Sequence, residues 1–528
     1  MRTSVALVTI VFIALLLSSC TSQHRQDMER IDVLRDDAER FVRAQNLMQF
    51  NSWAYGAPIN QDSLYGTYAA LFSRENISLT TRTAADEQDS LQRKRLHYFV
   101  RFLATNYIDR QIAPLTDRAS NVEATAMVTV GGRSVPYRQV LGMIANERQQ
   151  SRRAMLYRSE DQVMDSLNIM LWNVEEKSIA LARDLGYPSY IAMSSDLKGY
   201  SLDDFRATAE HALSQTDSLY SMLLREMLRR YVKLTPEQFH RYDALPLFRN
   251  TTFDRYFPAK DMLTTLSTAY RGLGADIASM KNLTIDTAAR PAKNPRAACF
   301  AIEVPSDVRL SMKPIGGYDD YGALFHEMGH ALHYASTKEN SFEFKYAGEP
   351  TVTESYAFLS EYLLTNQAWL RIRKVMPTPV MKDYIRFMAF YRIWYIRRYC
   401  AKFLYEMYLH SGGSRPDSVY AAMQSRAIGY VATPSDAKRY LTDVDEGFYS
   451  AGYLRAWFLE SQINASLSSQ YGVNWFEHPK AGETLRTLWS LGDRLDGDEL
   501  VRRIGNRVIS PAAWLEEIKA MIVLSNRE

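Results

Sequence analysis

Apolar residues recur at intervals of three and four positions along most of the chain, which places them on one face of a helix. The pattern predicts five long helical stretches: Asp27–Trp53, Asp89–Tyr107, Gln139–Leu185, Leu202–Leu234 and Met381–Leu409. Proline and glycine, 18 and 24 residues in all, are scattered rather than gathered into linkers, and the sequence shows no repeat. We therefore expect one continuous body that is mostly helical.

Two segments alternate apolar and polar residues with the period of a β-strand. Ala126–Val130 and Arg133–Tyr137 are separated by a Gly-Gly pair, which predicts a hairpin with a tight turn. Ala298–Val304 and Val308–Met312 are separated by Pro-Ser-Asp, which predicts a second hairpin.

The amino terminus has the pattern of a targeting segment. Arg2 is followed by an apolar run from Val5 to Leu17, which is too short to span a bilayer comfortably and is typical of a signal peptide. Leu-Ser-Ser then precedes Cys20, an arrangement that resembles the lipobox of bacterial lipoproteins. The resemblance implies a signal peptide over residues 1–19, lipidation of Cys20, and a single domain over 20–528 anchored in the cell envelope, on the periplasmic side or at the outer membrane. The alternative is an ordinary secretory signal followed by a chance cysteine.

Composition and charge exclude several classes of protein. The 528 residues are 46% hydrophobic, enough to bury a sizeable core, so wholesale disorder is excluded. Lys and Arg total 63 against 60 Asp and Glu, and this near-balance argues against a nucleic-acid-binding protein. The 3 cysteines are too few for a disulfide-stapled scaffold, and we expect Cys299 and Cys400 to be separate buried thiols. The alternative is a disulfide between these two in an oxidising periplasm.

Residues 326–330 read His-Glu-Met-Gly-His, the segment of the sequence with the clearest chemical content. Asp319 or Asp320 can cap a helix through this segment, and histidines four apart then project from one face. Two imidazole nitrogens in that position suit a tetrahedral zinc ion, with Glu327 beside the open coordination position. The alternative is a solvated helix face that happens to carry two histidines.

A catalytic zinc ion needs a third protein ligand, and the sequence offers several candidates. A histidine six residues after His330 is excluded, because position 336 is serine. Glu349 precedes a proline, which favours a loop or helix start, whereas Glu354 lies within a predicted helix that begins at that proline. We favour Glu354, because a ligand on a rigid helix is better positioned. His333 shares the helix face with the motif, but its spacing suits a buried packing residue behind the ligands.

Phe325–His333 resembles the extended His-Glu-x-Gly-His-x-x-His motif of the thimet oligopeptidase and oligoendopeptidase-type metallopeptidases. It is also similar to the motif of angiotensin-converting enzyme, which shares their helical fold. The resemblance implies a large two-lobed helical fold with a deep cleft, and a small β-sheet beside the zinc helix whose edge takes the peptide as an extra strand. It also implies Glu354 as the third zinc ligand and Glu361 as a residue that orients a ligand.

The segment from Gly447 to Trp457 is similar to the late tyrosine-rich segment of that family. There the resemblance implies that Tyr453, and Tyr449 before it, donate hydrogen bonds to the oxyanion. No histidine lies between Tyr440 and Tyr449, so the chain departs from the family at its histidine donor. Core packing is the alternative role for both tyrosines, since the chain contains 33 tyrosines.

These features together predict zinc-dependent hydrolysis of peptide bonds in oligopeptides. Glu327 is the expected general base, and Tyr453 the expected oxyanion donor. One alternative is a carboxypeptidase that releases dipeptides, which would need a cation such as Arg455 or Lys345 for the terminal carboxylate. Another is a tethered lipoprotein that binds peptides without cleaving them.

Overall fold

A computed structural model describes residues 2–373 and 375–526, with side chains from residue 23 onward. Helix accounts for 73% and strand for 5%, so the chain is mostly α with small sheets, as the apolar spacing predicts. In the first part of the chain the α-helices are α1 (Arg2–Tyr55), α2 (Gln61–Thr67), α3 (Arg74–Asp86), α4 (Ser90–Thr125), α5 (Val140–Asn146), α6 (Gln150–Ser159), α7 (Asp161–Asp184), α8 (Tyr190–Lys198), α9 (Leu202–Met227), α10 (Ala244–Phe248) and α11 (Met262–Gly272).

The remaining helices include those that surround the predicted zinc motif. They are α12 (Tyr318–Ser336), α13 (Phe342–Tyr346), α14 (Thr351–Glu361), α15 (Gln367–Ile372), α16 (Thr378–His410), α17 (Pro416–Ile428), α18 (Pro434–Ala437), α19 (Tyr449–Tyr471), α20 (Pro479–Trp489), α21 (Gly497–Arg503) and α22 (Ala512–Asn526). Short 3₁₀ segments join many of them, at Tyr137–Gln139, Pro236–Gln238, Arg241–Asp243, Thr251–Tyr256, Ala259–Asp261, Ile277–Ser279, Tyr362–Thr365, Glu446–Phe448, Trp475–Glu477 and Gly492–Arg494.

The strands form two small sheets. The strands are β1 (Met127–Val130), β2 (Arg133–Pro136), β3 (Leu283–Asp286), β4 (Ala298–Glu303) and β5 (Asp307–Ser311). β1 pairs antiparallel with β2, and β4 pairs antiparallel with β5, so both predicted hairpins are confirmed. β3 adds in parallel to the other side of β5, which gives the order β3-β5-β4 and leaves β4 at an edge.

Two of the long helical predictions need correction. The stretch predicted as Gln139–Leu185 is three helices, α5, α6 and α7. They break because Val140, Ile144, Leu156 and Tyr157 fold around Val128 of the first hairpin to form a separate small core. The stretch predicted as Leu202–Leu234 is α-helical only to Met227. A π-helical turn over Leu228–Val232 follows, and Lys233 then ends the helix in the left-handed conformation.

The main core forms around α16, which packs against α9, α17, α19 and α22. Beside it, α12 packs against α14, and α14 in turn packs against α19. These three helices carry the predicted zinc motif, the glutamate that follows it and the late tyrosines. The packing therefore brings together three segments that are far apart in the sequence.

The amino-terminal predictions lie largely outside the described residues. The predicted signal peptide, residues 1–19, and Cys20 belong to the segment whose side chains are not described. Among the residues that the structure describes, no helix is long and apolar enough to cross a membrane. Cys299 and Cys400 are not joined to each other. Cys400 is fully buried, but Cys299 is only partly buried, so the expectation of a buried thiol is wrong for Cys299.

Candidate metal centre

The helix that carries the predicted zinc motif begins earlier than expected. α12 starts at Tyr318, directly after Gly317 with φ of 100°, a conformation that favours glycine. The expected cap at Asp319 or Asp320 is wrong. The Asp320 side chain instead turns back to the preceding loop, where Oδ2 accepts the backbone N–H groups of Ile315 and Gly316 at 2.7 and 2.9 Å.

α12 and α14 cross at the glycine of the motif. A Cβ atom at Gly329 would lie 2.5 Å from Cα of Ala357 and 2.5 Å from the carbonyl oxygen of Tyr356. No side chain fits in that space, so glycine lets the two backbones touch. This close crossing carries His326 and His330 of α12 to within reach of Glu354 on α14.

Three potential ligand atoms meet at this crossing. Oε2 of Glu354 lies 3.3 Å from Nε2 of His326 and 3.5 Å from Nε2 of His330. All three ligand atoms are within 4.8 Å of one another. Ligands at about 2.0–2.1 Å from a tetrahedral ion lie roughly 3.3–3.4 Å apart, so these separations suit one small cation.

The outward-facing atoms of the same three side chains are held by hydrogen bonds. Nδ1 of His326 lies 3.0 Å from Oε2 of Glu361, and Nδ1 of His330 lies 2.8 Å from the hydroxyl of Thr353. The Tyr449 hydroxyl donates to Oε1 of Glu354 at 2.7 Å. Because a carboxylate only accepts, Nδ1 of His326 donates to Glu361, which leaves Nε2 as the nitrogen that would bind a metal at the centre.

The inward-facing carboxylate oxygen lacks a conventional partner. Glu354 is 4% exposed, and its Oε2 is buried without a hydrogen-bond partner among the described residues. Burial alone would raise the pKa of Glu354, but His330 and His326 hold it well below its usual range. A buried, ionised oxygen facing two imidazole nitrogens is the donor set that a borderline divalent ion such as zinc prefers, so these residues fit zinc.

Glu327 borders open space beside the three candidate ligands. Its Oε2 accepts the backbone N–H of Cys299 at 2.8 Å, which ties the side chain to strand β4. A cavity of about 390 Å³ is lined by Glu327, His326, Glu361 and Tyr453, among others. We name it the motif cavity. A molecule in the motif cavity would contact both Glu327 and His326.

The two late tyrosines occupy different positions. The hydroxyl of Tyr449 is hydrogen-bonded to Glu354. Tyr449 also lines a separate cavity of about 570 Å³, together with Glu349. Tyr453, one turn further along α19, lines the motif cavity, and its ring centre is 4.9 Å from that of Tyr449. Tyr453, unlike Tyr449, therefore shares the motif cavity with Glu327.

Glu349 and His333 lie outside the group of ligand atoms. Oε2 of Glu349 accepts the backbone N–H of Thr351 at 2.9 Å at the start of α14, and Oε1 lies 3.8 Å from the Lys198 ammonium. His333 is 1% exposed and packs against Tyr356, with ring centres 5.1 Å apart. Burial lowers the pKa of His333 to about 4, so it is a neutral packing residue, as its spacing suggests.

The free edge of the sheet is partly occupied by the protein itself. The N–H of Cys299 is bonded to Glu327, and the carbonyl of Ala301 accepts from Nδ2 of Asn46 at 2.7 Å. Asn46 lies on α1, about 250 residues away in the sequence, and no pattern in the sequence indicates the contact. Thr353 was also not predicted, although its position beside Glu354 on a helix is a usable signal.

Comparisons with known proteins assign the chain to no family. No protein-family model matches the chain, and no curated protein matches its sequence. What the fold and site define is a mostly helical protein with a candidate metal centre where two buried helices cross. Its function is therefore argued from the arrangement of these residues.

Proposed function

We propose that this chain is a zinc-dependent peptidase that hydrolyses peptide bonds in oligopeptides. The observation that carries the proposal is the unpartnered Oε2 of Glu354, which faces Nε2 of His326 and of His330 at 3.3 and 3.5 Å. A solvated helix face with two histidines would need neither a buried carboxylate opposite them nor hydrogen bonds behind them. The proposed ligands are therefore His326, His330 and Glu354.

Zinc held by such residues polarises a carbonyl group and lowers the pKa of water. Glu327 is the residue placed to move the proton. With Oε2 held by the N–H of Cys299, Oε1 of Glu327 can take the proton of the attacking water and pass it to the departing amine. General base catalysis of this kind contributes about 10²–10⁴ in rate.

Tyr453 is the proposed donor to the negative charge that develops on the carbonyl oxygen. Its side chain lines the motif cavity together with Glu327, so both can contact the same scissile bond. Burial keeps the pKa of Tyr453 well above its usual value, and the carboxylates of Glu354 and Glu327 raise it further. The hydroxyl therefore stays protonated and available as a donor at neutral pH.

The proposed substrates are oligopeptides bound in a deep cleft between two lobes, as in the thimet oligopeptidase and oligoendopeptidase-type enzymes. An extended peptide would add to β4, the edge strand that contacts Glu327 through Cys299. A peptide that uses the Ala301 carbonyl must first displace the Asn46 side chain. Such main-chain recognition gives broad sequence preference.

Lipid anchorage in the bacterial envelope belongs to the same proposal. Its support is the sequence alone: the apolar run that ends at Leu17 and the small residues before Cys20. A periplasmic or outer-membrane tether would place the peptidase where short peptides arrive from outside the cell.

A carboxypeptidase that releases dipeptides would need a cation for the terminal carboxylate, and the positions of Arg455 and Lys345 do not support that role. Arg455 is paired with Asp498 at 3.1 Å and stacks over the ring of Tyr200, with its guanidinium carbon 3.9 Å from the ring centre. Lys345 is paired with Glu39. Neither residue lines the motif cavity. The alternative of a non-catalytic peptide binder would not require Glu327 to border open space beside the centre.

Incubation with a mixed peptide pool, with and without a zinc chelator, tests the proposal. We expect cleavage in the untreated sample, its loss with the chelator, and its return when zinc is added back. Peptides that remain intact in every sample would contradict the proposal and favour a binding protein. The product masses from a defined decapeptide then distinguish internal cleavage from stepwise release of dipeptides.

A further inference from the structure

A second cavity, of about 590 Å³, adjoins the motif cavity. Arg296, in the loop before β4, and Tyr395, on α16, line both cavities, so the two spaces share part of their walls. We name the second space the arginine cavity. A molecule that extends from Glu327 past Arg296 and Tyr395 would reach it.

Donors without partners line the arginine cavity. Nε2 of Gln424, the hydroxyl of Tyr430 and Nε1 of Trp394 are buried and have no hydrogen-bond partner among the described residues. Gln424 is 2% exposed and Tyr430 is 5% exposed. The amide and indole nitrogens can only donate, and the hydroxyl can donate. Buried donors of this kind indicate a ligand that brings acceptor oxygens.

The charge of the lining points to the same kind of ligand. Four guanidinium and three carboxyl groups face the cavity: Arg241, Arg296, Arg398, Arg439, Glu123, Glu160 and Asp443. Arg439 pairs with Glu160, whereas Asp443 is shared between Arg398 and Arg241, the latter at 3.4 Å. Arg296 is exposed and has no ion pair in the described part of the chain. Positive charge therefore exceeds negative charge.

We propose that the arginine cavity binds a carboxylate group of the peptide substrate. The inference deepens the proposed peptidase function and rests on it, since the ligand is taken to be part of the substrate. Guanidinium groups and N–H donors bind a carboxylate through charge-assisted hydrogen bonds. The same chemistry is offered by a free C-terminus and by an aspartate or glutamate side chain, and the test separates the two.

The inference can be tested by measuring peptide affinity for the full chain by calorimetry. A chelator keeps the protein free of metal, so that the peptides bind without being cleaved. Three peptides of one sequence serve as probes: a free C-terminal acid, a neutral C-terminal amide, and an amide with glutamate at its last position. We expect at least one carboxylate-bearing peptide to bind about tenfold more tightly than the neutral amide, the scale of hydrogen bonds to a charged group. Preference for the free acid identifies the C-terminus, and preference for the glutamate peptide identifies a side chain.

Substitutions in the arginine cavity test whether the preference for carboxylate-bearing peptides arises there. Gln424→Met with Tyr430→Phe removes two donors that have no acceptor in the described part of the protein, so the fold should tolerate the change. The tenfold preference should fall to about twofold or less. Tyr405→Phe is the matched control, because its hydroxyl is also buried and unpartnered but does not line the cavity. It should keep the full preference.

Equal affinity for all three peptides, or a preference unchanged in the double variant, would overturn the inference. The outcome is separable from that of the proposed peptidase function. If the protein prefers carboxylate-bearing peptides but cleaves no peptide after zinc is restored, the carboxylate-binding inference stands and the proposed peptidase function is contradicted. Cleavage without carboxylate preference supports the hydrolase and contradicts the pocket.

Discussion

The hydroxyl of Tyr449 donates a 2.7 Å hydrogen bond to Oε1 of Glu354, and the other carboxylate oxygen of Glu354 faces the two histidines of the motif. The bond restricts rotation of the carboxylate, so Tyr449 positions a proposed ligand. Tyr453 is adjacent on α19 but borders the motif cavity instead. Two tyrosines that look equivalent in the sequence therefore have separable roles.

Phenylalanine substitutions should separate these roles. Tyr449→Phe removes a hydrogen bond behind a ligand, and we expect zinc affinity to fall about 10- to 100-fold. Tyr453→Phe should leave zinc affinity unchanged and lower kcat by about 10²–10³, the cost of one oxyanion donor. Competition with a fluorescent chelator measures the first effect, and steady-state kinetics at saturating zinc measures the second. An exchange of the two phenotypes would reverse the assignment.

The choice of third ligand can be tested by metal content. Glu354→Ala removes the carboxylate that faces the histidines, and we expect zinc to fall from one equivalent per chain to a small fraction after dialysis. Glu349→Ala is the matched control, because Glu349 bonds to Thr351 at the start of the same helix and lies outside the ligand group. Retained zinc in Glu354→Ala, with loss in Glu349→Ala, would make Glu349 the ligand.

The sequence predicts local features of this fold better than its distant contacts. The spacing of apolar residues locates α16 to within three residues at its start and one at its end, and alternation with a central turn locates both hairpins. β3 was missed because four residues, Leu-Thr-Ile-Asp, are too few to show a period. The apolar spacing also does not predict the breaks that separate α5, α6 and α7, since these breaks depend on packing around Val128.

The same distinction applies to the candidate site. His326 and His330 follow from spacing on one helix, and Glu354 follows from the helix that Pro350 begins. The hydrogen bonds of Asn46 to Ala301 and of Tyr449 to Glu354 join segments far apart in the chain. No local rule indicates such contacts, because they depend on how the helices pack. The arginine cavity likewise combines residues from several distant elements.

The helix crossing at Gly329 should be sensitive to a single methyl group. In Gly329→Ala the new Cβ would lie 2.5 Å from the backbone of α14, so the helices must separate. We expect a loss of about 1–3 kcal/mol in the free energy of unfolding, the usual cost of overpacking, together with weaker zinc binding. Denaturant unfolding and zinc titration measure the two effects.

Gly322→Ala is the matched control on the same helix. Its Cβ would meet Glu361 no closer than 3.9 Å, and alanine is favoured over glycine inside a helix by about 0.5–1 kcal/mol. The control should therefore keep or gain stability. Equal destabilisation by both substitutions would show that the close crossing is not what requires Gly329.

A largely buried carboxyl group away from the candidate metal centre should make stability depend on pH. Burial, with a contribution from Glu446, raises the pKa of Glu175 to about 7, and burial lowers the pKa of His410 to about 4. Between these values both groups are neutral, so their 3.6 Å contact is not an ion pair. The stabilisation from protonated Glu175 is fully present below pH 4.5, its reference pKa, and is lost as pH rises through about 7.

Glu175→Gln should therefore be more stable than the natural chain at pH 8, by up to about 3 kcal/mol, and the difference should shrink to about 1 kcal/mol or less near pH 5. Urea unfolding at the two pH values measures the difference. Glu176→Gln, at the exposed neighbouring position on α7, should change stability little at either pH. A Glu175→Gln variant that is less stable at pH 8 would show that the carboxylate is ionised and favourable in the folded protein.

The central claim is that Glu327 acts as general base beside a zinc ion held by His326, His330 and Glu354. The most direct measurement is zinc content and peptide hydrolysis in the same preparation of Glu327→Gln. The account predicts one zinc per chain, as in the unmodified protein, with kcat reduced at least 10²-fold. A Glu327→Gln protein that keeps its zinc and cleaves peptides at the normal rate would contradict it.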